Sequence, residues 1–201
     1  MGEEVVALRP FEEADMPFLE RLSKDPEAVG PFEWFGFSNP HVRSERWRAD
    51  GLLGTESSAL GIVVAGTLAG IASWGPARRG GPDGTCWEIG VALLPEHRGR
   101  GFGVAAHRAL VDYLFAYTMA NRIEAIADSE NVAEQRTLEK VGFSREAVLR
   151  GALFQRGGWR DLVMYALLRD DLAVHRAADV ITENGVAVST EIVETTDDQQ
   201  R

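Results

Sequence analysis

A single cysteine, Cys86, stands in a chain of 201 residues. It cannot close an internal disulfide or build a cysteine-based metal site, which suits a reducing compartment. Cys86 opens an apolar, β-prone stretch with no base beside it in sequence, so it is not read as a nucleophile. Runs of about 18 apolar residues are also missing, as is an apolar signal-like core near the N-terminus, so neither a membrane span nor a secretory signal is expected, and a cytoplasmic location is. Clustered basic charge is lacking too. Lys and Arg number 21 against 31 Asp and Glu, a formal net charge of −10, which argues against a nucleic-acid surface. Residues 170–201 hold eight acids and two arginines, so −6 of that charge belongs to the C-terminal stretch and concerns solubility before substrate. There are no internal repeats, and no metal site is expected.

A hydrophobic fraction of 45% and a charged fraction of 26% describe an ordinary globular chain, long enough for one substantial core. Residues 87–104 organise it. Trp87 to Leu94 is a short apolar run that Pro95 stops, because proline brings no amide hydrogen to a neighbouring strand. Arg98 to Gly103 then places three glycines in five positions just before an amphipathic pattern that starts near Val104. Strand, glycine-rich turn and helix start together aim backbone amides and a helix dipole at one point, a site for a phosphate or pyrophosphate. The loop lacks the Gly-Lys-Ser/Thr of a P-loop, and Gly99, Gly101 and Gly103 do not fit the dinucleotide spacing G-x-G-x-x-G.

The chain in order predicts a strand at Val5–Leu8, a helix over Glu12–Leu22 with Pro17 in its first turn, and a second helix over His41–Leu53 that ends at Gly54. Between them lies a Gly/Pro-broken loop carrying Phe32, Trp34, Phe35 and Phe37. Either it packs over the core as a lid, or these rings, with Trp47 on the next helix, wall an acceptor pocket. Leu60–Val64 and Leu68–Trp74 read as strands joined at Ala65-Gly66-Thr67, so three consecutive strands form an antiparallel meander that ends on the Trp87 strand. A helix to about Thr118 and a strand over Arg122–Asp128 complete a βαβ unit, placing that strand parallel to the Trp87 strand. Val132–Val141 is a helix stopped by Gly142, and Phe143–Leu153 with Asp161–Leu168 form a final β pair around Gly157-Gly158. Asn184-Gly185 marks a hairpin over residues 180–190, followed by an acidic polar tail. Residues 1–170 thus read as one domain, and 171–201 as an appendage either docked on it or used for self-association as a homodimer.

R-x-x-G-x-G at Arg98, Gly101 and Gly103 resembles the coenzyme A pyrophosphate loop of the GNAT superfamily of N-acetyltransferases. The likeness extends to Leu8-Arg9-Pro10-Phe11 with Asp15, Trp87-Glu88-Ile89-Gly90, Asn131, the run Leu138 to Phe143, Gly151, Gly158 to Asp161, and Tyr165. It covers about residues 3–170 and is nearest to the branch of ribosomal-protein N-terminal-alanine acetyltransferases. The resemblance implies an α+β (α/β/α) GNAT fold: a mixed central sheet with an antiparallel N-terminal meander, a splayed parallel pair at its centre and flanking helices, here with an extra C-terminal hairpin. It implies acetyl-CoA as cosubstrate and a primary amine as acceptor, either a small molecule or a peptide N-terminus. The pantetheine arm is expected along Ala92, Leu93 and Leu94 and beside Asn131. The pyrophosphate is expected on Arg98, Gly99, Arg100, Gly101, Phe102, Gly103 and Val104.

A primary amine is mostly protonated at neutral pH, so a base must act before nitrogen attacks the thioester. Glu88, on the central strand, is the candidate base through water; otherwise it pairs with a cross-strand or helix-borne arginine. A strand amide near Leu93 suits the developing oxyanion. The tyrosine that many relatives carry seven residues after the asparagine is Leu138 here, and the serine three residues after it is Glu134. Glu134 is the candidate acid, and solvent is the alternative, since a thiolate of free pKa about 8.5 can leave unaided. His97 and His107 are expected at the surface. The rival to an acetyltransferase is a regulatory module that binds CoA without transferring acetyl.

Overall fold

The computed structural model describes residues 5–77, 79 and 86–172. The hairpin expected over 180–190 and the acidic tail lie outside the described residues. The chain opens with β1 (Val6–Arg9), a single 3-10 turn (Glu13–Asp15) and helix α1 (Met16–Lys24), which has Pro17 in its first turn. Arg9 grips Asp15 with two hydrogen bonds, of 2.6 and 3.0 Å, tying the strand to the helix start. A one-turn helix α2 (Pro26–Val29), capped by the Asp25 side chain on the Glu27 amide, leads into the aromatic loop.

Helix α3 (His41–Asp50) ends sooner than the sequence predicts. Gly51 takes the left-handed conformation (φ 67°) and donates to the Trp47 carbonyl, a stop that glycine adopts without the Cβ penalty. Leu52 and Leu53 therefore turn back, and Leu53 bridges to Ser58.

Next come β2 (Ser58–Val64), β3 (Thr67–Pro76) and β4 (Cys86–Leu93), then α4 (Phe102–Tyr117), β5 (Arg122–Asp128), α5 (Val132–Val141), β6 (Ser144–Gln155) and β7 (Gly158–Leu168). The last two strands are longer than expected and meet in a two-residue turn, Arg156-Gly157. One seven-stranded sheet has the order β1-β2-β3-β4-β5-β7-β6. Among the described residues its single parallel contact is β4 with β5, as a strand-helix-strand unit requires.

Alternation along the strands fixes both faces. Ile89, Ile123, Ala125 and Ala127 join Ala106, Leu110, Val111 and Leu114 of α4, and Leu138 and Val141 of α5, in the main core. The other face carries α1, where Phe11, Met16, Leu19, Leu52 and Ala59 form a smaller cluster. Each wholly buried leucine contributes on the order of 1.5–3 kcal/mol. One polar side chain interrupts the apolar face of α4: His107, only 1% exposed. The expectation of a surface histidine fails there, because positions 106, 107, 110, 111 and 114 form one inward-facing arc between sheet and α5.

Candidate active site

β4 and β5 are in register only from Cys86↔Arg122 to Ile89↔Ala125, although β4 continues to Leu93 and β5 to Asp128. The two strands part in the middle of the sheet. Ladder parity decides which backbone groups line the gap. Bonds from Ala77 N–H to the Cys86 carbonyl and from Leu94 N–H to the Ala69 carbonyl show that even-numbered residues of β4 bond toward β3. The amides and carbonyls of Val91 and Leu93 accordingly point at β5 where pairing has ceased. The backbones of Ala92 and Leu94, expected along the pantetheine arm, serve the β3 ladder, whereas that of Val91 faces the gap. The Leu93 carbonyl already accepts from Arg98 Nε at 2.8 Å, leaving its N–H for the gap.

Arg98 turns inward. Its Nη2 also donates to the Ala28 carbonyl at 2.7 Å, so its side chain fastens α2 to the end of β4 rather than reaching outward. Beyond it Gly99 (φ 72°) and Gly101 (φ 84°) reverse the chain into α4. Among the described residues, the amides of Gly99, Gly101, Phe102, Gly103 and Val104 meet no carbonyl, whereas those of His97, Arg98 and Ala105 on either side do. A Cβ built at Gly99 or Gly101 meets nothing within 4 Å, so the concavity is open. Phe102 drives its ring into Val64 and Ala69 and pins the turn, and Arg100 lies 4.8 Å over that ring. Unpaired amides at the positive end of a 16-residue helix suit an anion.

Glu88 lies on the sheet face opposite α4, in register with Glu124. Among the described residues, the arginines expected for Glu88 go to its neighbour. Glu124 is fully buried and accepts from Arg79 Nε at 2.9 Å and from Arg122 Nε at 2.7 Å, and Arg122 continues to Glu146. Burial opposes ionisation of Glu124, but the two guanidinium bonds outweigh it and hold the carboxyl below its usual range. The Glu88 carboxyl is raised instead, by desolvation first and the charge of Glu124 second, with Arg79 offsetting part. Cys86, buried beside them, is pushed up to about 11 by burial and then by Glu124, so it stays a thiol. Neither Glu124 nor its arginines stood out in sequence, since a lone acid in an apolar strand carries no local signal of its partners.

Asn131 caps α5 by accepting from the Glu134 amide at 3.2 Å, which leaves its side-chain NH2 available. Glu134 Oε1 lies 3.1 Å from His107 Nε2. Glu33, on the aromatic loop, has its carboxyl raised by desolvation and then by the charge of Glu134, although the residue keeps solvent access. His97 is half-buried.

The aromatic loop is held by a residue absent from the sequence reading. Gln155, only 5% exposed, donates from Nε2 to the carbonyls of Phe32 and Trp34, both at 3.0 Å, on either side of Glu33. Phe32 lies under Arg160, which is paired with Asp128 and Glu130. Trp34 and Phe37 meet edge to face at 5.3 Å. Trp34 and Phe35 line a shallow cavity of about 340 Å³ with Phe154, Gln155 and Arg156. Trp47 stands apart: its indole donates to the Phe11 carbonyl at 2.8 Å and packs on the α1 cluster, so it is scaffold. Among the described residues, no group of three His, Cys, Asp or Glu is placed to hold a metal ion, and no helix is long and apolar enough to cross a membrane.

The acetyltransferase (GNAT) domain family matches residues 6–144. The uncharacterized N-acetyltransferase YoaA of Bacillus subtilis is 35% identical over 82 residues, 41% of this chain and 46% of the relative. The chain spans about half the length of the curated relatives it matches. Mycobacterium smegmatis RimJ, solved in complex with CoA-disulfide, superposes with a TM-score of 0.71 at 26% identity, covering 87% of this chain and 88% of that one. Spermidine N-acetyltransferase from Vibrio cholerae, solved with CoA and spermine, gives a TM-score of 0.73 at 20% identity, covering 84% and 98%, a likeness of fold.

Proposed function

The chain belongs to the acetyltransferase (GNAT) family, and from that premise we propose that it is an acyltransferase that moves acetyl from acetyl-CoA directly onto a primary amine held beneath the aromatic loop. The observation that carries this is the parting of β4 and β5 after Ile89↔Ala125, directly ahead of the unpaired amides of the glycine loop. The diphosphate sits on the amides from Gly99 to Val104, and the pantetheine arm pairs with Val91 and with the free NH2 of Asn131. The thioester supplies an activated acyl group, and the chain's own residues do the rest.

Glu88, whose carboxyl is raised, takes a proton from the ammonium through water, placing its basicity nearer neutrality than an ordinary glutamate. The Leu93 amide meets the negative charge that grows on the thioester oxygen. Glu134 gives a proton to the departing sulfur. Holding amine and thioester in one gap contributes much of the rate. The aromatic rings of Trp34 and Phe35 and the acid Glu33 suit a cationic amine on an apolar stem, whether a small molecule or a peptide N-terminus.

The test is a panel of amines and N-terminal peptides with acetyl-CoA, followed by thiol release and by the mass gain of one acetyl group on the acceptor. Saturable acetylation of a primary amine supports the proposal. Tight CoA binding with no acceptor modified across the panel makes the chain a CoA-binding module instead.

A further inference from the structure

α4 faces the sheet with alanine, leucine and valine, yet sets one titratable ring among them. His107 Nδ1 lies 2.9 Å from the Gly103 carbonyl oxygen. A carbonyl oxygen only accepts, so Nδ1 carries the hydrogen. In the neutral ring Nε2 is then a bare lone pair, buried and without an aligned hydrogen bond, and it lies 3.1 Å from Glu134 Oε1. A lone pair against an ionised carboxylate at that distance is repulsive. The contact is attractive only when the pair holds one proton besides that on Nδ1, either as imidazolium against carboxylate or as imidazole against carboxylic acid.

We propose that His107 and Glu134 form a one-proton dyad that protonates the departing thiolate, with Glu134 the donor and His107 the positioning residue that keeps a proton on it. The placement supports this. Glu134 stands in the first turn of α5 beside the Asn131 cap, and its side chain is 27% exposed toward solvent while His107 is sealed beneath. The Gly103 carbonyl that fixes the tautomer belongs to the glycine loop, and Leu93 Cδ1 and Thr137 Cγ2 lie about 4 Å from the Cβ position of Gly103, so loop, strand end and α5 meet there. Glu33, on the aromatic loop, lies within electrostatic reach of Glu134, whose charge adds to desolvation in raising the Glu33 carboxyl. The proposal rests on the acetyl-transfer reading. As the C–S bond breaks, sulfur takes the bonding pair and the dyad's proton. The N–C bond forms, and of the two protons the ammonium loses, one replaces the dyad's and the other passes through the Glu88 water to solvent.

H107N keeps a donor for Gly103 and deletes only the contact with Glu134; E134Q changes a partly exposed helix position and keeps its volume. Each single variant is expected to lower kcat by about 10²-fold, with KM for acetyl-CoA and CoA affinity within about twofold. The double variant is expected to lose no more than either single, because one proton is shared. Nitrogen-15 NMR of the ring, with and without CoA, is expected to report hydrogen on Nδ1 throughout and to change at Nε2 in E134Q. A neutral Nε2–H tautomer overturns the dyad, as does kcat unchanged in either single variant against an active wild type. A wild type that binds CoA and acetylates nothing overturns the transfer reading instead, and the donor role with it, while the ring spectrum still reports the tautomer.

Discussion

Glu88 and Glu124 stand side by side in register across β4 and β5, the only parallel contact in the described sheet, and their environments drive them apart. Glu124 takes both arginines and is held ionised; Glu88, one strand over, is desolvated next to that charge and binds protons more readily. A fixed anion beside a titrating one separates structural from chemical carboxylate, as in other acid-base pairs built from identical side chains.

Replacing Glu88 by Gln is therefore expected to lower kcat by about 10²-fold, the usual worth of one general base. The wild-type rate should rise with pH as Glu88 ionises, through a value above that of an ordinary glutamate, and E88Q should lack this limb. Because free amine becomes more abundant as pH rises, the deficit should shrink toward alkaline pH. A pH profile of kcat in both proteins checks this, and a wild-type limb surviving in E88Q would move the base elsewhere.

Glu124→Gln tests the partner. Its folded-state value is depressed, so its stabilising contribution is present above the ordinary glutamate value near 4.5 and is lost as pH falls through the lower folded value. E124Q should cost about 1–3 kcal/mol at neutral pH, less than a sealed ion pair because Arg79 is half exposed and solvent screens it. The cost should shrink as pH falls below that ordinary value, as denaturant melts compared at pH 7 and in acid would show. Removing that charge also leaves Arg79 to face Glu88 alone, so the lower limb of the kcat profile should move to more acidic pH.

The legible part of the fold was the part written in local chemistry. Pro95 ending a strand, three glycines in five residues, and Gly142 closing α5 announced themselves, and the spacing of Ala106, Leu110 and Leu114 gave the helix between the parallel strands. The illegible part depended on crossings. His107 sits on the same arc as those apolar residues, and only α5 passing over it explains a polar ring there. Trp47 looked available for a pocket until Phe11, 36 positions earlier, supplied a carbonyl for its indole. Gln155 had no signal at all, since its partners are 121 and 123 residues away.

Gly103→Glu probes the anion site without undoing the helix. Beyond its Cβ position Gly103 meets only Thr137 and Leu93 at ordinary contact distance, and an acid in the first turn of a helix is favourable to its dipole. The variant should melt within a few degrees of wild type, about the shift that 1 kcal/mol produces. Its carboxylate would stand where the diphosphate is proposed to bind, and affinity for CoA should fall by at least about 10²-fold, the equivalent of roughly 3 kcal/mol. Calorimetric titration with CoA decides it; unchanged affinity would remove the loop from the site.

Gln155→Ala separates acceptor from donor. One buried amide group holds the loop by two carbonyls that flank Glu33, so its loss leaves both carbonyls seeking water and frees the segment carrying Trp34 and Phe35. The Gly99–Val104 amides lie on another part of the chain and have no bond to Gln155. KM for the amine should therefore rise about tenfold, equivalent to about 1.4 kcal/mol, while KM for acetyl-CoA stays unchanged. Restoring the donor with Asn would not rescue, because a side chain one methylene shorter falls short of carbonyls now at 3.0 Å. If both Michaelis constants rose together, the loop would be supporting the whole gap rather than its acceptor side, and the assignment of the aromatic wall to the amine would have to be given up.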